Sequence, residues 1–265
     1  MAPIPLAAVL VLGAAYWWGL NRLAGRSGRR WPVARTASFA AGLVVILAAT
    51  QPPVATQDTR YFAVHAVQHL MLAMVAPPLL ALGAPVTLAL QASTRTTQQR
   101  LLRVLRSPPV AAVTHPLVGW ALLAASMFAL YLSPLYAYSL AHPLVHDLVH
   151  LHFVTAGLLF FWPVVGLDPS RWRLPYGGRL LYLLLTVPVH AFLGIALLTA
   201  TTPLYTAHSL SDQHAGGGIM WAGGELLTLA AAAVVLTQWM GADRREAARA
   251  DRRADALSVA GLRGG

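Results

Sequence analysis

The sequence predicts an all-α integral membrane protein: a bundle of seven transmembrane helices with the N-terminus outside and the C-terminus in the cytoplasm. Three observations predict it. Of the 265 residues 57% are hydrophobic and 11% charged, whereas about 25% are charged in an ordinary soluble domain. The apolar residues gather into seven runs, most of them near the roughly 20 residues that a helix needs to cross a bilayer. Between those runs the arginines alternate, crowding every second loop and nearly vanishing from the others. So little polar surface could not wrap so large an apolar core in water, which excludes a soluble enzyme, a disordered chain and a disulfide-stapled secreted module. With no cysteine, neither disulfides nor thiolate metal sites are possible.

The seven runs cover residues 3–20, 37–52, 61–90, 109–132, 143–165, 179–200 and 217–240. The first could pass for a signal peptide, but its arginines follow the apolar stretch rather than precede it, so it is expected to stay as a helix. The third would be roughly 45 Å long as one helix. It contains Pro77, Pro78 and Pro85, and proline removes a backbone donor, so a kink or break near Ala76 is expected. Residues 1–240 form the membrane domain, and 241–265 an Arg-rich cytoplasmic tail that reads as a solvated helix fraying into Gly264-Gly265.

Orientation rests on arginine alone, because all nineteen basic residues are arginines. Loops 21–36, 91–108 and 166–179, with the tail, hold eighteen; loops 51–60, 133–142 and 201–216 hold only Arg60. Positive charge is retained on the cytoplasmic side. The net charge of +10 therefore belongs to topology and calls for a lipid bilayer, with no nucleic acid partner.

Ionisable residues inside a bilayer are costly, so each needs a partner or a task. Nine of the ten histidines gather towards the outer side. His65 and His69 are four residues apart on span three, which turns both rings to one helix face. His142, His146 and His150 repeat that spacing on span five, with Asp147 bordering the face. His208, Asp212 and His214 precede span seven, Met220 opens it, and Glu225 follows inside it. Two helices that each present paired imidazoles to a bundle interior suit metal or haem ligation, and this reading is favoured over a hydrogen-bonded structural network. His190, near the middle of span six, is read equally well as a ligand or as a packing residue. His142 and His214 stay open, His152 is read as interfacial, and His115, before Pro116, as structural. Met71 and Met74 read as packing residues, and the Gly216-Gly217-Gly218 and Gly223-Gly224 runs as close helix contacts. His65 and His69 enclose Ala-Val-Gln, so the zinc-protease pattern H-E-x-x-H is absent. No nucleophile elbow or dinucleotide-binding glycine pattern occurs either, and no catalytic residue is expected.

Three stretches carry a family resemblance. Residues 65–85, HAVQHLMLAMVAPPLLALGAP, together with 146–163, HDLVHLHFVTAGLLFFWP, and 212–221, DQHAGGGIMW, resemble the CtaG-type cytochrome c oxidase assembly factors of bacteria. The resemblance implies a multi-pass plasma-membrane protein, without enzymatic activity, that hands copper to the CuB centre of a haem-copper oxidase. Its cofactor would be a copper ion and its partner the oxidase catalytic subunit. His65, His69, His146, His150, Asp212, Met220 and Trp221 are the motif positions. The paired spacing makes His65, His69, His146 and His150 the expected ligands, with Asp147, His208, Asp212, Met220 and Glu225 expected to orient or load the metal. His214 departs from the family pattern. Competing readings are a bis-histidine haem protein, a seven-helix membrane zinc hydrolase and an assembly scaffold that binds no metal.

Overall fold

The structure, a computed structural model, describes residues 2–28 and 30–263, so Met1, Arg29, Gly264 and Gly265 lie outside it. The described residues form helices and turns, with no strand among them. Helix α1 covers Pro3–Ser27 and α2 Val33–Thr50. A single 3-10 turn, Val54–Thr56, leads to α3, Phe62–Leu70. Then come α4 (Ala76–Leu82), α5 (Pro85–Ala92), α6 (Arg95–Leu105), α7 (Pro108–Val113), α8 (Pro116–Tyr131) and α9 (Leu135–Ala141). The chain ends with α10 (Pro143–Val165), α11 (Tyr176–Leu184), α12 (Val187–Leu198) and α13 (Leu210–Arg263).

Proline punctuates this order. Pro3, Pro85, Pro108, Pro116 and Pro143 each open a helix, where a missing N–H costs nothing and the fixed φ is already helical. Gly28 and Gly166 close α1 and α10 in the left-handed conformation, at φ 61° and 62°, which an L-side chain resists.

Among the described residues six helical stretches are long and apolar enough to cross a membrane, and a seventh is completed if α8 and α9, bent by 74°, count as one. Span three shows the irregularity expected near Ala76, while spans four and six, expected unbroken over 109–132 and 179–200, are each interrupted, span six at Leu185–Thr186 between α11 and α12. Span three runs on as one 31-residue stretch, Phe62–Ala92, but Met71–Val75 between α3 and α4 is a π turn. Pro77 and Pro78 supply no N–H to the carbonyls of Ala73 and Met74, so the ladder must slip there. The Ala73 carbonyl turns towards Gly157 of α10, where any side chain would collide with it. Span four, expected straight over 109–132, is cut at His115 and again at Leu132–Pro134. His115 Nδ1 accepts from the Leu117 amide at 3.2 Å, capping the start of α8. The last helix continues through position 240 without a break.

Three carboxylates tie helix ends together. Asp147 accepts from the Ile4 amide at the start of α1, Asp212 from Phe62 and Ala63 at the start of α3, and Asp168 from Val86 and Thr87 in α5. Each satisfies N–H groups that a helix start leaves without an internal partner. The starts of α1, α3, α10 and α13 thus meet at one end of the bundle. The starts of α5 and α8 lie at the other, with the loop after α10 and the Tyr182 hydroxyl bonded to Pro116.

Candidate metal centre

The four paired histidines converge. His65 and His69 leave α3 with ring centroids 4.1 Å apart, and His146 and His150 leave α10 at 4.4 Å. Across the two helices His65 lies 5.5 Å from His146 and His69 lies 6.0 Å from His150. All four are buried. The 23-residue α10 and the single-face spacing of each pair hold the rings at a common depth, and Gly157 lets α10 approach the π turn below them.

Asp58, from the loop before α3, joins this group and was not singled out from the sequence. Its Oδ2 lies 3.0 Å from His146 Nε2 and 2.9 Å from Gln68 Nε2. Gln68 Nε2 also donates to the Ala49 carbonyl at 2.8 Å. Both of those partners only accept, so the amide oxygen of Gln68 faces His150 Nε2, at 3.1 Å. The tautomers follow: His146 and His150 each carry the proton on Nε2, because each meets an acceptor there. Each Nδ1 is left as a lone pair, and both Nδ1 atoms are buried without a hydrogen-bond partner. Asp58 Oδ1, both nitrogens of His65 and His69 Nε2 share that condition. Burying a polar atom unpaired costs about 1–3 kcal/mol each, yet six of them crowd into this one cluster. One ligating atom each from Asp58, His146 and His150 fit within 4.8 Å of one another. Burial alone would raise the Asp58 carboxyl, but its hydrogen bonds with His146 and Gln68 outweigh that and hold it below the usual carboxylate range. A negative charge therefore sits beside the imidazole lone pairs, as a cation requires.

An aromatic cover closes the cluster on the loop side. Phe62, Tyr136, Tyr205 and His208 pack ring against ring. Tyr136 is bonded to His208 Nε2 at 2.9 Å, and Tyr131 to His69 Nδ1 at 2.8 Å.

The remaining candidates are engaged elsewhere. Asp147 and Asp212 serve helix ends, although Asp212 Oδ2 also lies 3.7 Å from His208 Nδ1. Glu225 accepts from the Trp221 indole at 2.6 Å. His214 Nε2 meets the Ala200 carbonyl, His152 meets Ser126, and the exposed His142 stacks on Tyr138. His190 and Met220 are buried and line a small cavity together with His69. Gln213, next to Asp212 in the third motif, ties the end of α12 at Leu197 to Leu204 in the loop that follows. The cavities that touch the cluster, of about 10 and 30 Å³, are far too small for a porphyrin. Asp58 and Gln68 did carry a signal: Asp58 is the one carboxylate in the 51–60 loop, and Gln68 lies between two histidines on the same helix.

A family model for the cytochrome c oxidase caa3 assembly factor matches residues 14–242. Uncharacterized proteins of Mycobacterium bovis and Mycobacterium tuberculosis are each 35% identical over 267 aligned residues, and one of Mycobacterium leprae is 34% identical. These alignments cover 94% of this chain and 40% of each relative, so the chain spans about two fifths of the length of the curated relatives it matches. No solved structure matches.

Proposed function

Because the chain belongs to the cytochrome c oxidase caa3 assembly factor family, we propose that it holds copper at the Asp58–His146–His150 centre and delivers it to the CuB centre of the oxidase catalytic subunit. One observation carries this reading: Asp58 and Gln68 each occupy an Nε2 proton, leaving the Nδ1 lone pairs of His146 and His150 buried and unpartnered. Carboxylate and amide acceptors behind imidazoles are how metal-ligating histidines are usually oriented. Imidazole suits both copper oxidation states, and one carboxylate supplies charge without the tight grip of a thiolate. His65 and His69, in the same cluster, complete the donor set. No nucleophile is needed in this role, and the protein acts as a carrier rather than an enzyme.

The arginine asymmetry supports an orientation in a bacterial plasma membrane with this centre near the outer face and the C-terminus inside. Copper would then enter from outside through the aromatic cover.

The test is made in cells. Strains carrying His146→Ala or His150→Ala should assemble the oxidase with haem but with little CuB, at unchanged abundance of the factor. His152→Ala should leave CuB intact. Full oxidase activity in the first pair would leave a metal-free scaffold. Bound zinc with hydrolysis that depends on His146 would favour a membrane hydrolase.

A further inference from the structure

Beside the histidine cluster lies a small cavity of about 10 Å³, bounded by α3, the π turn, α8, α10, α12 and α13. His69, His190, Met74, Met127 and Met220 line it, and each is buried, at 5% exposure or less. The chain has six methionines, and three of them, from three separate elements, meet here. We propose that this cavity is a second metal site, selective for a soft monovalent cation such as Cu(I), with a methionine–histidine donor set.

His190 is prepared for this role. Its Nδ1 donates to the Thr186 carbonyl at 3.1 Å, since a carbonyl only accepts, so Nε2 carries a lone pair. That Nε2 is buried without a hydrogen-bond partner, so His190 is the imidazole donor of this site, while His69 borders it as part of the other cluster's donor set. Gly224 makes the ring position possible, because a side chain there would come within 2.5 Å of the imidazole. The volume holds about one water-sized sphere. A water there would want two to four polar partners, and thioethers are weak acceptors. Thioethers and imidazoles do suit Cu(I). Every donor in the set is neutral, and the desolvation cost of a buried ion grows with the square of its charge. A monovalent ion is therefore favoured over Cu(II) or Zn(II). His69 borders both the cavity and the outer cluster, so one side chain separates the two sites.

The identity of copper as cargo rests on the proposed function, but the soft site does not. The purified protein in detergent is titrated anaerobically with Cu(I), against a competing chromophoric chelator, and then measured by X-ray absorption. Wild type should bind two ions and show sulfur scattering. Met127→Leu with Met220→Leu, a change that nearly conserves volume, should lose one ion and the sulfur shell at unchanged thermal stability. A His146→Asn, His150→Asn variant should lose the other ion and keep the sulfur shell. A sulfur-free wild-type spectrum, or an unchanged sulfur shell in the leucine variant, overturns the inner site. If the histidine variant still binds two ions, the outer assignment falls and the inner one stands.

Discussion

His146 Nε2 and Asp58 Oδ2 lie 3.0 Å apart, across 88 residues of chain. This contact joins the loop before span three to the start of span five and decides which nitrogen of His146 is free. The same carboxylate oxygen also receives Gln68, which in turn fixes His150. One acidic residue thus sets the protonation pattern of two imidazoles.

Asp58→Asn retains an oxygen that can accept from His146 but removes the charge. Losing that charge and the Oδ1 ligand should weaken metal binding by at least the about 10–100-fold that loss of an orienting partner typically costs. Copper titration of the purified variant should show that loss with the fold retained. Unchanged affinity would mean that the carboxylate serves only the fold.

Gln68→Leu should act on stability first. It strands the Ala49 carbonyl and the Nε2 proton of His150, at about 1–3 kcal/mol for each buried group. Thermal unfolding in detergent should fall by several degrees or more, and copper affinity should fall with it. An unchanged melting temperature would contradict the hydrogen-bond chain described above.

Asp212→Ala separates capping from ligation. Removing the acceptor for Phe62 and Ala63 should cost about 0.5–2 kcal/mol. Membrane abundance should drop, while copper per folded chain stays near the wild-type value. A folded variant that binds no copper would place Asp212 in the metal path instead.

Topology is testable because the chain lacks cysteine. Thr206 and Gln99 are both exposed, in loops of opposite arginine content. In intact cells an impermeant thiol reagent should label Thr206→Cys and spare Gln99→Cys. The opposite pattern would put the histidine cluster at the cytoplasmic face.

The spans and the histidine pairs were legible because helical spacing and hydropathy are local properties of the chain. Pro77 and Pro78 announced the irregularity in span three but not its form, since a π turn depends on how α10 receives the Ala73 carbonyl. The bend after Tyr131 had only Ser133-Pro134 to mark it. Asp147, Asp212 and Glu225 were expected to orient or load a metal, and one oxygen or more of each accepts a hydrogen bond, from Ile4, from Phe62 and Ala63, and from Trp221, which spacing alone does not reveal. Asp58 reaches His146 only through tertiary packing, which no spacing rule contains. Met74 pointed away from the His65–His69 face on an ideal helix, and the π turn changes that register.

The most direct test is equilibrium binding of Cu(I) to the purified wild-type protein and to the His146→Asn, His150→Asn variant, with equal folding of the two checked by circular dichroism. Wild type should bind copper with nitrogen and oxygen ligation in addition to any sulfur, and the variant should lose that nitrogen-ligated ion. Equal copper content and identical spectra in the two proteins would contradict a copper centre built on Asp58, His146 and His150.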